Sequence, residues 1–179
     1  MIRCHRPRSR SIPTSGFTLI ELVTVVTIVI ILAGVVVPRV SGFSDKAKFA
    51  KAASDLKSMK RALEYMYQDV GYFPADQSRG VDPGLNDISR VPSAQQGDWR
   101  GPYLEAWPEL TPWNGRYDYE YRNEVALNFD GVAGNEVLIS IRENIDQEIA
   151  TRIDEILDDG DSTTGMLRYS SSAVYFYIG

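Results

Sequence analysis

The hydrophobic pattern changes character along the chain. From Phe17 to Val37 nearly every position is apolar, and Glu21 is the one charged residue. Such a run has no polar face for water, so it predicts a helix buried on all sides. At about 1.5 Å per residue it reaches ~31 Å, enough to cross a hydrocarbon core. From Ser44 to Val70 the apolar residues recur at helical spacing instead: Ala47, Ala50, Ala53, Met59, Leu63, Met66 and Val70, with an interruption near Leu56. Lys46, Lys51, Lys57, Lys60 and Arg61 mostly fall elsewhere on the wheel. This is the stripe of an amphipathic helix packed on a core. One helix is therefore expected to run through both segments, weakened at Gly34 and Pro38 and stopped by Gly71 and Pro74.

Residues 71–116 are crowded with glycine and proline and predict a long irregular connection, with a short helix near Leu85–Val91. Trp99, Tyr103, Trp107 and Trp113 argue that this connection is packed down. Strand patterns follow at Tyr117–Arg122, Glu124–Phe129 and Val137–Ile141, the last two joined by a turn from Asp130 to Glu136. Ile145–Leu157 reads as a second amphipathic helix stopped by Asp158-Asp159-Gly160, and Met166–Tyr169 with Ala173–Ile178 as a final hairpin. The predicted fold is α+β: a long N-terminal helix on a small antiparallel sheet, with a second helix towards the C-terminus.

Charge adds a direction to this pattern. Residues 1–16 hold Arg3, Arg6, Arg8 and Arg10 and no acid. A basic stretch before an apolar run has the shape of an export signal, yet no small-residue cleavage site follows Val37. The apolar run is thus expected to stay on the mature protein, with the arginines cytoplasmic and the C-terminal bulk outside. Removing residues 1–16 takes the basic count from 19 to 15 against 24 acids, and the formal charge from -5 to -9. Such a surface repels nucleic acid. The same cut removes the only cysteine, Cys4, and the only histidine, His5. The remainder has no Ser-His-Asp, Cys-His or zinc chemistry and is not expected to be an enzyme.

Glu21 is the anomaly, because a carboxylate in an apolar span is costly and needs a partner or a task. The string Ser15-Gly16-Phe17-Thr18-Leu19-Ile20-Glu21-Leu22 resembles the processing motif of type IV pilins and type II secretion pseudopilins. The resemblance implies that a prepilin peptidase cuts after Gly16 and methylates Phe17, and that Glu21 serves assembly. It also implies an inner-membrane protein that forms a homo-oligomeric filament with an assembly platform and other pilin-like subunits as partners. Pro38 sits where that family's helix can unwind in filaments. Gly101-Pro102-Tyr103-Leu104 and Pro112-Trp113-Asn114-Gly115-Arg116-Tyr117-Asp118-Tyr119 resemble the loop of major pseudopilins, which reads G-P-Y-L and then D-P-W-G-N-P-Y-x-Y; Thr111 replaces the aspartate, and Asn114-Gly115 reverses the usual order.

The expected organisation is a removed leader at 1–16, a transmembrane half-helix at 17–38, an amphipathic half at 39–70 and a globular part at 71–179. Major pseudopilins bind calcium in an acidic C-terminal loop. Asp130 with Glu136, and Asp158, Asp159 and Asp161, are the residues here that could offer such an ion its oxygens. Both segments are also ordinary turn sequences. The sequence favours a pseudopilus subunit, with a type IV pilus subunit and a membrane-tethered binding module that never polymerises as alternatives.

Overall fold

The computed structural model describes residues 16–122, 127–132 and 134–179, without the side chains of 35–43. Contacts divide the chain into two units that meet between Phe43 and Ser44. Helix α1 runs over Leu19–Val70. The strands are β1 (Arg116–Arg122), β2 (Glu136–Arg142), β3 (Leu167–Ser170) and β4 (Ala173–Tyr177), and helix α2 (Gln147–Leu157) lies between β2 and β3.

In the N-terminal unit, Phe17 to Leu32 is exposed on all sides, Leu19 at 81% and Ile31 at 62%. Thr24 and Thr27 return their hydroxyls to the carbonyls of Ile20 and Val23, at 2.7 and 2.8 Å, so they add no free polar group to this surface. Among the described residues, no helix is long and apolar enough to cross a membrane. The expected crossing extends into residues whose side chains lie outside the description.

In the C-terminal unit, the end of α1 packs on the sheet. Its buried stripe is Ala52, Leu56, Met59, Leu63 and Met66, flanked by Ala53 and Ala62. Ala53, Met59, Leu63 and Met66 of the expected stripe are buried, whereas Ala47 and Ala50 are exposed, and Leu56, the supposed interruption, is fully buried at its centre. Alanine is neutral enough to sit on either face, so the larger side chains mark the stripe. Gly71, at φ +74°, ends α1 by donating its N–H to the Tyr67 carbonyl at 2.8 Å.

The sheet order is β1-β2-β4-β3, all antiparallel. Pleating puts Tyr117, Tyr119, Ile139, Ile141, Val174, Phe176 and Leu167 on the face that shares a core with α1. Tyr117 donates its hydroxyl to Asp55 at 3.2 Å, and Tyr119 to the Pro74 carbonyl at 2.8 Å. The other face of β2 and β4 carries Leu138, Ala173 and Tyr175, which cluster with Leu127 and Phe129. β2 is therefore buried on both faces. The expected strand at Glu124–Phe129 lies largely outside the described residues; Leu127 to Phe129 is turn and bend, and β2 pairs with β1 instead. The final hairpin turns on Ser171 and Ser172, both with positive φ.

The long connection is packed as expected. Its one regular element is a 3-10 turn at Ile88–Arg90. Trp107 is buried, and Trp99 donates to the Gly84 carbonyl at 3.0 Å. Tyr103 ties the loop to α1 through Asp69 at 2.8 Å. A Cβ on Gly101 would come 2.3 Å from the Trp99 ring, which excludes larger residues there.

Truncating the stripe centre tests this arrangement. Leu56→Ala should cost about 2–5 kcal/mol, whereas Ala47→Ser should change stability by less than about 0.5 kcal/mol. Urea unfolding followed by tryptophan fluorescence checks both values.

Candidate functional site

Gly16, Phe17 and Thr18 precede α1 as non-helical chain. Thr18 then caps the helix. Its Oγ1 accepts from the Glu21 N–H at 3.3 Å, and Glu21 Oε2 accepts from both the Thr18 N–H (3.0 Å) and the Thr18 hydroxyl (2.8 Å). This reciprocal pair is a capping box, in which two helix-terminal N–H groups find acceptors at once. Glu21 thus has a structural task inside its own chain that the sequence reading missed. The Thr-x-x-Glu spacing ahead of an apolar run is the signal that announces it. Both bonds from Thr18 fall on Oε2, leaving Oε1 open to a further donor.

The acidic candidates separate. Asp130 is exposed, and its Oδ1 accepts from the Val132 N–H at 2.8 Å, an ordinary Asx turn. Glu136 is buried, and its Oε1 accepts from the Phe129 N–H, which pins the turn before β2. Asp161 accepts from the N–H and hydroxyl of Thr163, at 3.0 and 2.6 Å. Asp158 and Asp159 come together with a third carboxylate, Asp154, their ligand atoms all within 4.8 Å of one another. Asp161, Asp130 and Glu136 lie outside this group. Asp154 is fully buried on α2. Burial pushes its carboxyl up to about 6, helped by the charges of Asp158 and Asp159 and partly offset by the Gly160 amide. The sequence reading missed Asp154, because on a helical wheel it is one more acid of a solvated face.

A second acidic system sits on the β1–β2 face turned away from α1. Glu120 is buried and accepts from Ser140 and from Arg142, whose Nη2 lies 2.7 Å away, and Arg122 pairs with its other oxygen. Asp118 beside it is less well served, with Arg79 and Arg142 at 3.9 and 4.0 Å. Burial pushes Asp118 up to about 6; the Glu120 and Asp76 charges raise it further, and the two arginines oppose them. Arginines folded across them make the polar face a buried one.

Comparison with known proteins places the chain. A family model described as PilW, C-terminal, matches residues 44–133, which span the buried half of α1, the aromatic loop and β1. The type II secretion system core protein G of Pseudomonas aeruginosa is 37% identical over 108 residues, covering 59% of this chain and 72% of that protein. Its counterpart in Aeromonas hydrophila is 31% identical over 129 residues, covering 68% and 87%. The chain belongs to the type II secretion system core protein G family. Within this family the Vibrio cholerae protein is 34% identical over 107 residues, covering 59% of this chain and 69% of its own. A solved structure, the major Type IV pilin PilA1 from Clostridium difficile, aligns over 77% of this chain and 98% of its own at 16% identity, with a TM-score of 0.46. The loop that resembles that of major pseudopilins lies inside the stretch matched by the family model, whereas α2 and the acidic turn after it lie outside.

Two measurements test this geometry. Thr18→Val removes the cap hydroxyl, at a cost of about 0.5–2 kcal/mol to the first turn. Amide hydrogen exchange at Thr18 and Glu21 should accelerate in that variant and stay close to the parent in Thr18→Ser. The second concerns Asp118. Its folded pKa is raised, so the folded chain holds more protons than the unfolded one between roughly pH 4 and 6, and this contribution to stability is lost as pH rises through that window. Asp118→Asn should therefore gain in melting temperature over the parent between ~pH 4.5 and ~pH 7. A difference that does not change with pH would reject the assignment.

Proposed function

We propose that this chain is a structural subunit of a type II secretion pseudopilus, held in the inner membrane with its C-terminal unit outside and assembled through the N-terminal part of α1. The observation that carries this reading is the apolar surface from Phe17 to Leu32, exposed on every side and broken by the single carboxylate of Glu21. Covering each large side chain contributes about 1.5–3 kcal/mol. Nothing in the chain's own C-terminal unit is needed for that burial. Lipid covers the surface before assembly, and equivalent helices of other subunits cover it afterwards. The names of the family's relatives, type II secretion system core protein G, support the same conclusion.

Processing fits the local chain. A Cβ added at Gly16 would meet nothing within 4 Å, and its backbone is not left-handed. Neither packing among the described residues nor strain calls for glycine there, which is compatible with its being read by a prepilin peptidase. The cut turns the Phe17 amide into an ammonium group, which is then methylated. Glu21 Oε1 is open to such a group from a neighbouring subunit, and pairing there neutralises two charges in a medium that tolerates neither alone. The axial step of the filament follows from that pairing. The assembly platform and other pilin-like subunits are the partners, and the chain performs no catalysis of its own.

Glu21→Ala should therefore insert and be cut normally, yet give at least ~10-fold fewer filaments, the loss expected when ~1.4 kcal/mol is removed from each docking step. Mass spectrometry of the N-terminus reports cleavage and methylation, and microscopy of sheared surface material reports filaments. Normal filaments from this variant would reject the role of Glu21. Uncut protein in the parent strain would reject the processing scheme.

A further inference from the structure

We propose that the cleft between residues 80–90 and residues 106–109 binds a neutral, hydroxyl-rich ligand, a pyranose sugar by its donor and acceptor set. This goes beyond the assembly reading and does not depend on it.

The cleft belongs to the packed connection between α1 and β1. Its volume is about 380 Å3, room for a single sugar ring with some water. Val81, Asp82, Asp87, Arg90, Trp107 and Glu109 line it. The two sides are tied to each other. The Asn86 side-chain amide donates to the carbonyls of Leu104, at 3.1 Å, and of Glu105, and the Leu85 carbonyl accepts from the Tyr103 N–H at 2.8 Å. Asp82 holds the first side in shape by accepting from the N–H groups of Leu85, Asn86 and Asp87, at 3.0, 3.1 and 3.2 Å. A ligand therefore meets a cleft that is already formed and does not have to order it.

Trp107 is the observation that points to a ligand. It is 8% exposed, and its indole Nε1 has no hydrogen-bond partner. A buried indole N–H is ordinarily paired, since it gave up water to be there. Trp99 in the same connection obeys that rule through the Gly84 carbonyl. Two further groups at the cleft keep spare capacity. The Glu109 side chain is exposed, and among the described residues it makes no hydrogen bond or ion pair. Asp87 spends one oxygen on the Ser89 N–H, at 2.9 Å, and reaches Arg90 with the other only at 3.8 Å.

These groups select the chemistry of the ligand. Trp107 and Arg90 need acceptors, whereas Glu109 and Asp87 need donors. An anion would serve the first pair but would meet three carboxylates against one guanidinium. A metal cation offers nothing to an indole N–H, and among the described residues these carboxylates do not converge into a metal-binding group. A hydroxyl donates and accepts at once, and a pyranose carries several on one rigid ring. A peptide amide also does both, but a chain brings only one amide every ~3.5 Å, too sparse for four such groups around one small cleft. Val81 and Ala106 offer apolar contact to the C–H face of a sugar ring.

The test is a titration of the full-length 15N-labelled chain, in a detergent without a sugar headgroup, with glucose, galactose and N-acetylglucosamine. The indole N–H signals of the three tryptophans are assigned by Trp→Phe substitution. The Trp107 signal should move saturably with at least one of these sugars, at a half-saturation of about 1–10 mM, ordinary for a ligand of this size. The Trp99 and Trp113 signals should stay in place. Glu109→Ala, at an exposed position, keeps the fold and should weaken binding ~10-fold through the loss of a charge-assisted acceptor. Trp107→Phe keeps the buried ring and should weaken it by a similar factor, read on the sugar protons by saturation transfer. No saturable shift by ~100 mM of any of the three sugars would overturn the site. So would shifts confined to Trp99 or Trp113, or binding that survives both substitutions. An equal response to N-acetylglycinamide would overturn the assignment to sugar in favour of a peptide.

Discussion

The C-terminal unit depends on one contact, the seam between the stripe Leu56–Met59–Leu63–Met66 and the inner face of the sheet. Each strand contributes to that face, and the aromatic loop between α1 and β1 is fastened around it, through Tyr103 to Asp69 and through Tyr119 to the Pro74 carbonyl. Removing the helix would leave the inner face of a four-stranded sheet open to water. The same helix begins with an apolar surface that has no such seam. α1 therefore poses one physical requirement twice, the covering of apolar area. Its C-terminal part meets the requirement against the sheet, and its N-terminal part, from Phe17 to Leu32, leaves its apolar side chains exposed.

Charge is handled in two contrasting ways. On the outer face of β1 and β2, Glu120 is enclosed but satisfied by Ser140, Arg142 and Arg122. At the end of α2, Asp154 is enclosed beside two further carboxylates, Asp158 and Asp159. Both are carboxylates at nearly zero exposure in the same unit.

Legibility in the sequence followed side-chain size and local spacing. Both helices, β1, β2 and the final hairpin were readable because their large apolar residues recur at the period of the element they form. The buried face of α1 was read correctly at Ala53, Met59, Leu63 and Met66 and extended too far at Ala47 and Ala50, because alanine carries the same pattern weight on either face. The pairing of β1 with β2 was obscured by the strand expected at Glu124–Phe129 between them, half of which lies outside the described residues. Asp158 and Asp159 were visible as an acidic turn, while Asp154 was not. Its burial is a tertiary outcome that leaves no trace in spacing. Thr18-x-x-Glu21 was legible throughout, but the anomaly of a charge in an apolar run drew the reading towards assembly and away from the helix end.

Those two roles of Glu21 are compatible, and the order of the residues explains how. Every member of the capping box lies downstream of Gly16, so a cut after Gly16 leaves the bonds between Thr18 and Glu21 in place. What the proposed cut would change is Phe17, whose amide nitrogen would become a charged amine one residue before the cap. The carboxylate proposed to receive it is already held by the cap through Oε2, so pairing at Oε1 would cost little additional side-chain freedom. A flexible glutamate on an apolar helix would have to be ordered at the moment of docking. Here the ordering is built into the helix terminus, so a charge made by the proposed processing would meet an acceptor that is already oriented.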